Sequence, residues 1–173
     1  MKLTHLLALI PGLFLAGGCR TAQSTDHIPS VQGFQLERFL GTWYEIARLP
    51  HSFEQGMTNV SAVYTLRKDG TIQVVNSGEK NGKSRSVRGV AHFKGDSSVG
   101  ALRVSFFRPF YGDYRIIALS PDYSRAIVTS GTRDYLWILA RTRTIPKAEL
   151  DQALRQIREW GFDLSKLEYP QTE

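Results

Sequence analysis

Cys19 is the residue whose chemistry is most clearly marked, because it is the only cysteine among 173 residues. It follows Lys2, an apolar run over residues 6–15 and three small residues, which is the pattern of an export signal too short to span a bilayer. A lone sulfur at this boundary predicts cleavage of a signal peptide, residues 1–18, and acylation of Cys19. Ordinary secretion, which leaves a free thiol, is the alternative. A single cysteine excludes a disulfide within the chain.

The letters LAGGC, residues 15–19, resemble the lipobox of bacterial lipoproteins, with Ala16 at the position where leucine is usual. Arg20 follows, in place of the aspartate that resembles an inner-membrane retention signal. The pattern therefore favours a lipid anchor in the cell outer membrane, with the protein on its periplasmic face.

Other catalytic and metal-binding patterns are absent from the sequence. The four histidines lack the paired spacing of metal ligands, and neither a G-x-S-x-G elbow nor a glycine-rich phosphate loop occurs. We therefore predict no catalytic residue, no metal and no cofactor. Glu45 is the one acidic residue on the inward face of the strands predicted below, so it is either a hydrogen-bonded interior residue or a general base.

The net charge argues against a nucleic-acid partner. The full chain has a formal charge of +6, and after loss of Lys2 with the signal peptide 21 basic residues face 16 acidic ones. These basic residues are scattered and form no cluster that alternates with aromatic residues. Anionic lipid headgroups are the more natural partner for such a mild excess.

The residues named above must be positioned by the elements of the fold, which the sequence predicts to be short strands. Residues 19–33 are predicted to be the lipidated cysteine and a polar, flexible linker, and residues 34–173 a single domain. Eight runs of alternating apolar and polar residues predict eight consecutive strands. Because closure removes the two exposed edges of such a sheet, we predict an all-β fold, an eight-stranded antiparallel up-and-down β-barrel. The strands are predicted near residues 42–49, 58–67, 71–77, 86–94, 100–107, 113–119, 125–130 and 134–142.

Residues 146–161 change to a helical period, with proline at the start and glycine at the end. The pattern predicts one C-terminal α-helix that packs on the outside of the barrel. Residues 166–170 are predicted to pair back onto the sheet as a short strand. The apolar face of the helix consists of Leu150, Ala153, Leu154, Ile157 and Trp160.

Three separate motifs resemble the lipocalin family. They are the G-x-W sequence at Gly41 and Trp43, the turn LSPDYSRA between the sixth and seventh strands, and Arg141 after the eighth strand. Longer segments, such as GTWYEIARLPHSFEQG, resemble the bacterial outer-membrane members of that family. The alternation of strand direction puts all three motifs at one end of the barrel, where we expect Arg141 to stack on the Trp43 indole and close that end.

The opposite end is then the mouth, formed by loops near residues 50–57, 79–85, 107–113 and 130–134. Its predicted lip is basic and aromatic, a composition that suits an amphiphile whose tail enters while its charged head stays outside. The mouth residues selected are His51, Phe53, Arg108 and Phe110.

The residues that face the interior are predicted from the alternation of each strand, with Trp43 taken as an inward-facing residue. Because small residues recur on this phase, we predict an apolar cavity with a few polar groups instead of a filled barrel. The predicted ligand-binding residues are Glu45, Ala47, Ala62, Tyr64, Val74, Asn76, Gly89, Val104, Phe106, Tyr114, Ile116, Tyr135 and Trp137.

These features predict a membrane-anchored protein that binds or stores fatty acids or lysophospholipids, without enzymatic activity. Two alternatives stay open: a lipid-modifying enzyme, isomerase-like, that uses Glu45 in the same cavity, and a structural or partner-binding lipoprotein with a filled barrel. A homodimer also stays open, because some bacterial relatives pair.

Overall fold

The computed structural model describes residues 22–171, and within them eight antiparallel strands form a closed barrel. Each strand pairs with its sequence neighbours, and β1 pairs with β8, which confirms the predicted up-and-down barrel. The predicted signal peptide and Cys19 lie outside the described residues. The strands are β1 (Gly41–Arg48), β2 (Thr58–Leu66), β3 (Ile72–Lys80), β4 (Lys83–Phe93), β5 (Ala101–Phe107), β6 (Phe110–Leu119), β7 (Arg125–Thr129) and β8 (Leu136–Ala140).

Two of the predicted mouth loops are tight hairpins. β3 and β4 continue to a two-residue turn at Asn81 and Gly82, whose φ angles of 54° and 69° are those of a hairpin turn. β5 and β6 likewise extend until Phe107 pairs with Phe110. The polar composition of the facing ends of β3 and β4 hides their alternation, and for this reason the predicted strands stop at residue 77 and start at residue 86. β5 ends at Phe107 as predicted, whereas β6 begins three residues earlier than predicted.

The predicted helix is confirmed as α2 (Lys147–Glu159), and it packs on the outside of the barrel. Its apolar face contacts a core on the outer surface of β1, β6, β7 and β8 that includes Ile46, Ile127 and Ile138. The predicted last strand is reduced to one bridge between Arg48 and Glu168, after a 3-10 turn. Within residues 22–171 no helix has the length and apolar character needed to cross a membrane.

A second core closes one end of the barrel. A short helix that was not predicted, α1 (Leu36–Phe39), places Phe39 under the barrel, and the Trp43 indole donates to the Phe39 carbonyl oxygen at 2.7 Å. The Arg141 guanidinium lies 4.0 Å from the Trp43 ring centroid. Its nitrogens also donate to three backbone carbonyl oxygens, those of Arg38, Thr42 and Tyr123.

Residues 22–33 differ from the predicted flexible linker, because they are bound along the barrel. Thr25 is fully buried and donates to the Ser130 carbonyl oxygen at 2.6 Å, and Ile28 is buried in the outer core. Arg115 donates to the Thr25 carbonyl oxygen at 2.9 Å. The sequence of this segment resembles a linker because it has no periodicity, whereas its position along the barrel is held by side chains of distant strands.

Residues 22–171 contain a closed barrel with two hydrophobic cores of their own.

Replacing Arg141 by methionine is expected to lower the free energy of unfolding by about 2–4 kcal/mol, because three hydrogen bonds to backbone and a cation–π contact are lost together. The matched control is Arg143→Met, which removes a guanidinium 4.6 Å from the Tyr44 ring and one exposed hydrogen bond. We expect a loss below about 1 kcal/mol for the control. Urea unfolding of both variants measures the difference, and equal losses would contradict a sealing role for Arg141.

Candidate functional site

The barrel encloses a cavity of about 500 Å³ that reaches the loops at the mouth. This size lies within the range of about 300–1,000 Å³ typical of small-molecule sites. Most of its surface is apolar, and ten of the predicted ligand-binding residues line it. These ten are Glu45, Ala62, Tyr64, Val74, Asn76, Val104, Phe106, Tyr114, Tyr135 and Trp137.

Three predicted lining residues lie elsewhere, and the predictions for them are wrong for separate reasons. An irregularity in the pairing of β1 with β8 follows Glu45 and turns Ala47 into the outer core under α2. Gly89 is covered by the Phe106 ring, since a Cβ atom there would lie 2.8 Å from that ring. Ile116 is fully buried in the closed-end core and does not reach the cavity.

The floor of the cavity includes two residues that the prediction missed. Leu36 and Phe39 come from α1, which crosses the closed end. The only signal for them in the sequence is the apolar spacing of Leu36, Phe39 and Leu40 directly before the G-x-W motif.

A buried charged network lies at the mouth end of β1, with Arg48 at its centre. Arg48 is only 1% exposed, and its guanidinium lies 3.2 Å from Glu45 Oε2 and 3.1 Å from Glu168 Oε2. It also donates to the backbone carbonyl oxygens of Glu54 and Met57 at 2.8 and 3.3 Å. The side chain therefore ties the cavity wall to the loop between β1 and β2.

Glu54 brings a third carboxylate into this network, and no periodic pattern in the sequence predicts its burial. Asn76 Nδ2 and Trp137 Nε1 donate to its two oxygens at 3.5 and 3.4 Å. His51 Nε2 lies 2.9 Å from Glu54 Oε2. Glu54 belongs to the loop near residues 50–57 that was predicted to form the mouth, but this β1–β2 loop folds its side chain inward and leaves it 4% exposed.

Burial and the nearby Glu54 carboxylate raise the pKa of Glu45 to about 8, against the lowering effect of Arg48. The Arg48 guanidinium pairs with the carboxylates of Glu45 and Glu168 but reaches Glu54 at its backbone carbonyl oxygen, so it does not pair with all three carboxylates. The Glu45 side chain is therefore mostly neutral at pH 7, and it presents a weakly polar group to the cavity.

This raised pKa predicts a pH-dependent stability. Because the folded pKa exceeds the unfolded value of 4.5, the contribution of Glu45 is fully present below about pH 4.5 and is lost as the pH rises through about 8. We expect Glu45→Gln to gain stability relative to the wild type between pH 5 and pH 9, as measured by urea unfolding across that range. The exposed variant Glu37→Gln is the control, and parallel curves for the wild type and Glu45→Gln would contradict the raised pKa.

Two tyrosines complete the polar groups of the wall. The hydroxyl oxygens of Tyr64 and Tyr114 lie 2.7 Å apart across the cavity. Burial raises the pKa of each phenol above its ordinary value, so both remain protonated at every physiological pH. They contribute a neutral hydrogen-bonding pair to an otherwise apolar wall.

Two of the four predicted mouth residues line the entrance, and two do not. Phe53 and Phe110 line it. His51 lies under the lip, with its ring stacked 3.8 Å from the Phe53 ring and its side chain 4% exposed, so it is not a rim charge. Arg108 is exposed at the tip of the β5–β6 hairpin, outside the cavity lining. Both differences arise because the hairpin and loop geometry decides which side of the lip each residue occupies.

Among residues 22–171, no group of three or more His, Cys, Asp or Glu side chains is arranged to hold a metal ion. The charged groups lie around Arg48 at the mouth end of β1, and the remaining surface of the cavity is mostly apolar. The site is therefore suited to hold an apolar molecule with a small polar part.

Comparisons with known proteins agree with this geometry. A family model described as a lipocalin-like domain matches residues 34–172. The chain is 43% identical over 169 residues to the outer membrane lipoprotein Blc of Citrobacter freundii, covering 96% of each protein. It is 38% identical over 147 residues to temperature-induced lipocalin-1 of Arabidopsis thaliana, covering 79% of this chain and 78% of that protein.

The solved structure of insecticyanin from the tobacco hornworm Manduca sexta superposes with a TM-score of 0.69. It covers 84% of this chain and 85% of that chain at 21% identity, so it supports the fold alone. The resemblance inferred from the G-x-W motif, the interstrand turn and Arg141 is confirmed by the family match and the close relatives. The chain belongs to the lipocalin family.

Proposed function

We propose that this protein is an outer-membrane lipoprotein that binds a fatty acid or a lysophospholipid inside its barrel. The observation that carries the proposal is the cavity of about 500 Å³, with a mostly apolar wall that continues to the mouth. An acyl chain gains free energy by leaving water for such a wall. The cavity argues against the alternative of a structural lipoprotein with a filled barrel.

The polar groups of the wall favour a ligand that carries a hydrogen-bond donor. Asn76 Oδ1 is buried, belongs to a cavity-lining residue and has no hydrogen-bond partner among residues 22–171. Such an acceptor gains from a hydroxyl group of the ligand, whereas an ionised carboxylate offers it no proton. Among the two ligand classes, a lysophospholipid with its glycerol hydroxyl fits this position better.

The membrane location rests on relatives and on Cys19. Proteins that are 42–43% identical are named outer membrane lipoproteins, and we propose the same location for this chain, with the barrel on the periplasmic face. We expect Cys19→Ser to release the protein from the membrane fraction. Continued retention, with no acyl mass on Cys19 in the wild type, would contradict the anchor.

Binding without turnover is part of the proposal. Glu45, the candidate general base, is mostly protonated at pH 7 and has Oε2 occupied by Arg48 at 3.2 Å, so little free carboxylate is present to accept a proton. We expect lysophospholipid incubated with the protein to be recovered unchanged by mass spectrometry. A product that forms with the wild type and fails to form with Glu45→Gln would instead establish the enzyme alternative.

The test of binding is a fluorescence titration of residues 20–173 with a long-chain fatty acid, a lysophospholipid and a polar control. The probe is Trp137, which lines the cavity, and Trp137→Phe is the control that assigns the signal. We expect saturable quenching by both amphiphiles, and a larger loss of affinity for the lysophospholipid in Asn76→Leu. Flat curves for both amphiphiles would overturn the proposal.

A further inference from the structure

The lip of the barrel has an aromatic surface that the fold leaves uncovered. Phe107 is 76% exposed and Phe110 is 71% exposed, and their rings stack at the tip of the β5–β6 hairpin with centroids 6.4 Å apart. Phe53, at 58%, lies on the loop between β1 and β2 at the same end. Three exposed phenylalanines thus lie around one opening, two of them as a stacked pair, and exposed aromatic residues grouped at the rim of a cavity mark an interaction site.

Basic residues flank these rings. The exposed charged residues of the loops and hairpin tips at this end include four basic side chains and two acidic ones. Asp113, in the β5–β6 hairpin, is paired with Lys94 at 3.0 Å and so contributes little free negative charge. The combination of aromatic rings and excess positive charge is complementary to an anionic lipid surface. The basic residues are Lys80, Lys83, Arg85 and Arg108, and the acidic ones are Glu79 and Asp134.

The path of residues 22–33 leads to the same end of the barrel. The Arg133 backbone N–H donates to the Gln23 carbonyl oxygen at 2.8 Å, and Ser24 bridges Thr132 in the β7–β8 loop. The segment then runs toward the closed end, where Phe34 donates to the Ser98 carbonyl oxygen. Gln23 follows Cys19 by four positions, which allows at most about 14 Å between them. The lipid anchor proposed above for Cys19 would therefore hold the barrel with Gln23, and so its mouth, within reach of the membrane.

We propose that the mouth of the barrel docks onto an anionic phospholipid bilayer, with Phe53, Phe107 and Phe110 in the interface and Lys83, Arg85 and Arg108 against the headgroups. The inference deepens the proposed function and rests on it for its purpose, because docking at the mouth lets an amphiphile pass between bilayer and cavity without crossing water. The free energy of docking comes from the lip and not from the ligand, so the two can be measured separately.

The test is flotation of residues 20–173 with vesicles of phosphatidylcholine, alone or mixed with an equal part of phosphatidylglycerol. We expect binding to the mixed vesicles, weaker binding to phosphatidylcholine alone, and weakening by added salt. Phe107→Ser is expected to lower the partition coefficient at least about fivefold, and Lys83→Glu with Arg85→Glu at least about tenfold.

Matched controls lie away from the mouth. Leu66→Ser replaces an exposed apolar residue at the closed end, and Lys68→Glu with Lys147→Glu reverses two exposed charges, one in the turn after β2 and one at the start of α2. We expect both controls to bind mixed vesicles as the wild type does. Equal losses in the controls and the lip variants, or no binding by the wild type, would overturn the proposal.

Two further readouts separate docking from ligand binding and from self-association. Phe107 does not line the cavity, so Phe107→Ser should keep its affinity for fatty acid in solution, while Val104→Trp, which fills the cavity, should keep vesicle docking. Loss of docking in Val104→Trp would overturn the assignment to the lip. If the lip variants dissociate a dimer and leave vesicle binding unchanged, the lip is an interface between copies, and the membrane proposal is wrong.

Discussion

Val104→Trp is expected to reduce the affinity for long-chain amphiphiles at least about 100-fold, equivalent to about 2.7 kcal/mol of binding free energy. Val104 lies on β5 between Ala91 of β4 and Gly112 of β6, and its side chain lines the cavity. These neighbours leave the larger indole room only in the cavity itself, where it occupies the volume of the acyl chain. The fluorescence titration measures the loss.

The control for this experiment is Arg103→Trp, the preceding residue on the same strand. Successive strand residues point to opposite faces, and Arg103 is exposed on the outside of the barrel. We expect it to bind amphiphiles like the wild type. Because the indole at position 104 enters space that is already empty, the melting temperature of Val104→Trp should stay close to that of the wild type. Unchanged affinity in a folded Val104→Trp would show that the ligand site lies elsewhere.

Arg48→Met is expected to lower the free energy of unfolding by about 3–5 kcal/mol, because several buried acceptors lose their hydrogen-bond donor together and the Glu168 carboxylate loses its ion pair. The wild-type guanidinium contacts Glu45 and Glu168 and holds the carbonyl oxygens of Glu54 and Met57. The variant loses all of these interactions at a position that is 1% exposed. Urea unfolding at pH 7 measures the change.

A second substitution tests the electrostatic cause. Glu45→Gln introduced into Arg48→Met should restore part of the lost stability, and the recovery should grow with rising pH, because ionisation of Glu45 without Arg48 is the unfavourable step that the substitution removes. Lys147→Met is the control, since it breaks an exposed pair with Asp151 and should cost less than about 0.5 kcal/mol. A loss below about 1 kcal/mol in Arg48→Met, or no recovery in the double variant, would contradict a central role for Arg48.

The strand order, the helix and the closed end were accessible from the sequence because their signals are local. Alternation of apolar and polar residues indicates a strand wherever one face is buried. The helical spacing of Leu150, Leu154 and Ile157 likewise indicates a helix without any information about the barrel. Trp43 and Arg141 are far apart in sequence, yet the alternation of strand direction alone brings them to one end, where they stack at 4.0 Å.

The details of the cavity depended on contacts that no local pattern encodes. Strict alternation from Trp43 predicts that Ala47 points into the barrel. In the structure the pairing of β1 with β8 shifts by one residue after Glu45, and Ala47 points outward instead. Glu54 lies in a polar segment that is typical of a surface loop. Its burial is explained by its hydrogen-bond partners Asn76 and Trp137, which come from distant strands. A sequence read strand by strand contains neither signal.

By itself the sequence determined an eight-stranded barrel, an outer helix and ten of the residues that line its cavity, because each follows from a repeat within a few neighbouring residues. Only the tertiary structure decided that residues 22–33 bind along the barrel, that Arg48 anchors a buried charged network, and that the exposed aromatic lip lies beside the exit of the N-terminal segment. These features depend on side chains that are distant in sequence and become neighbours only when the barrel closes.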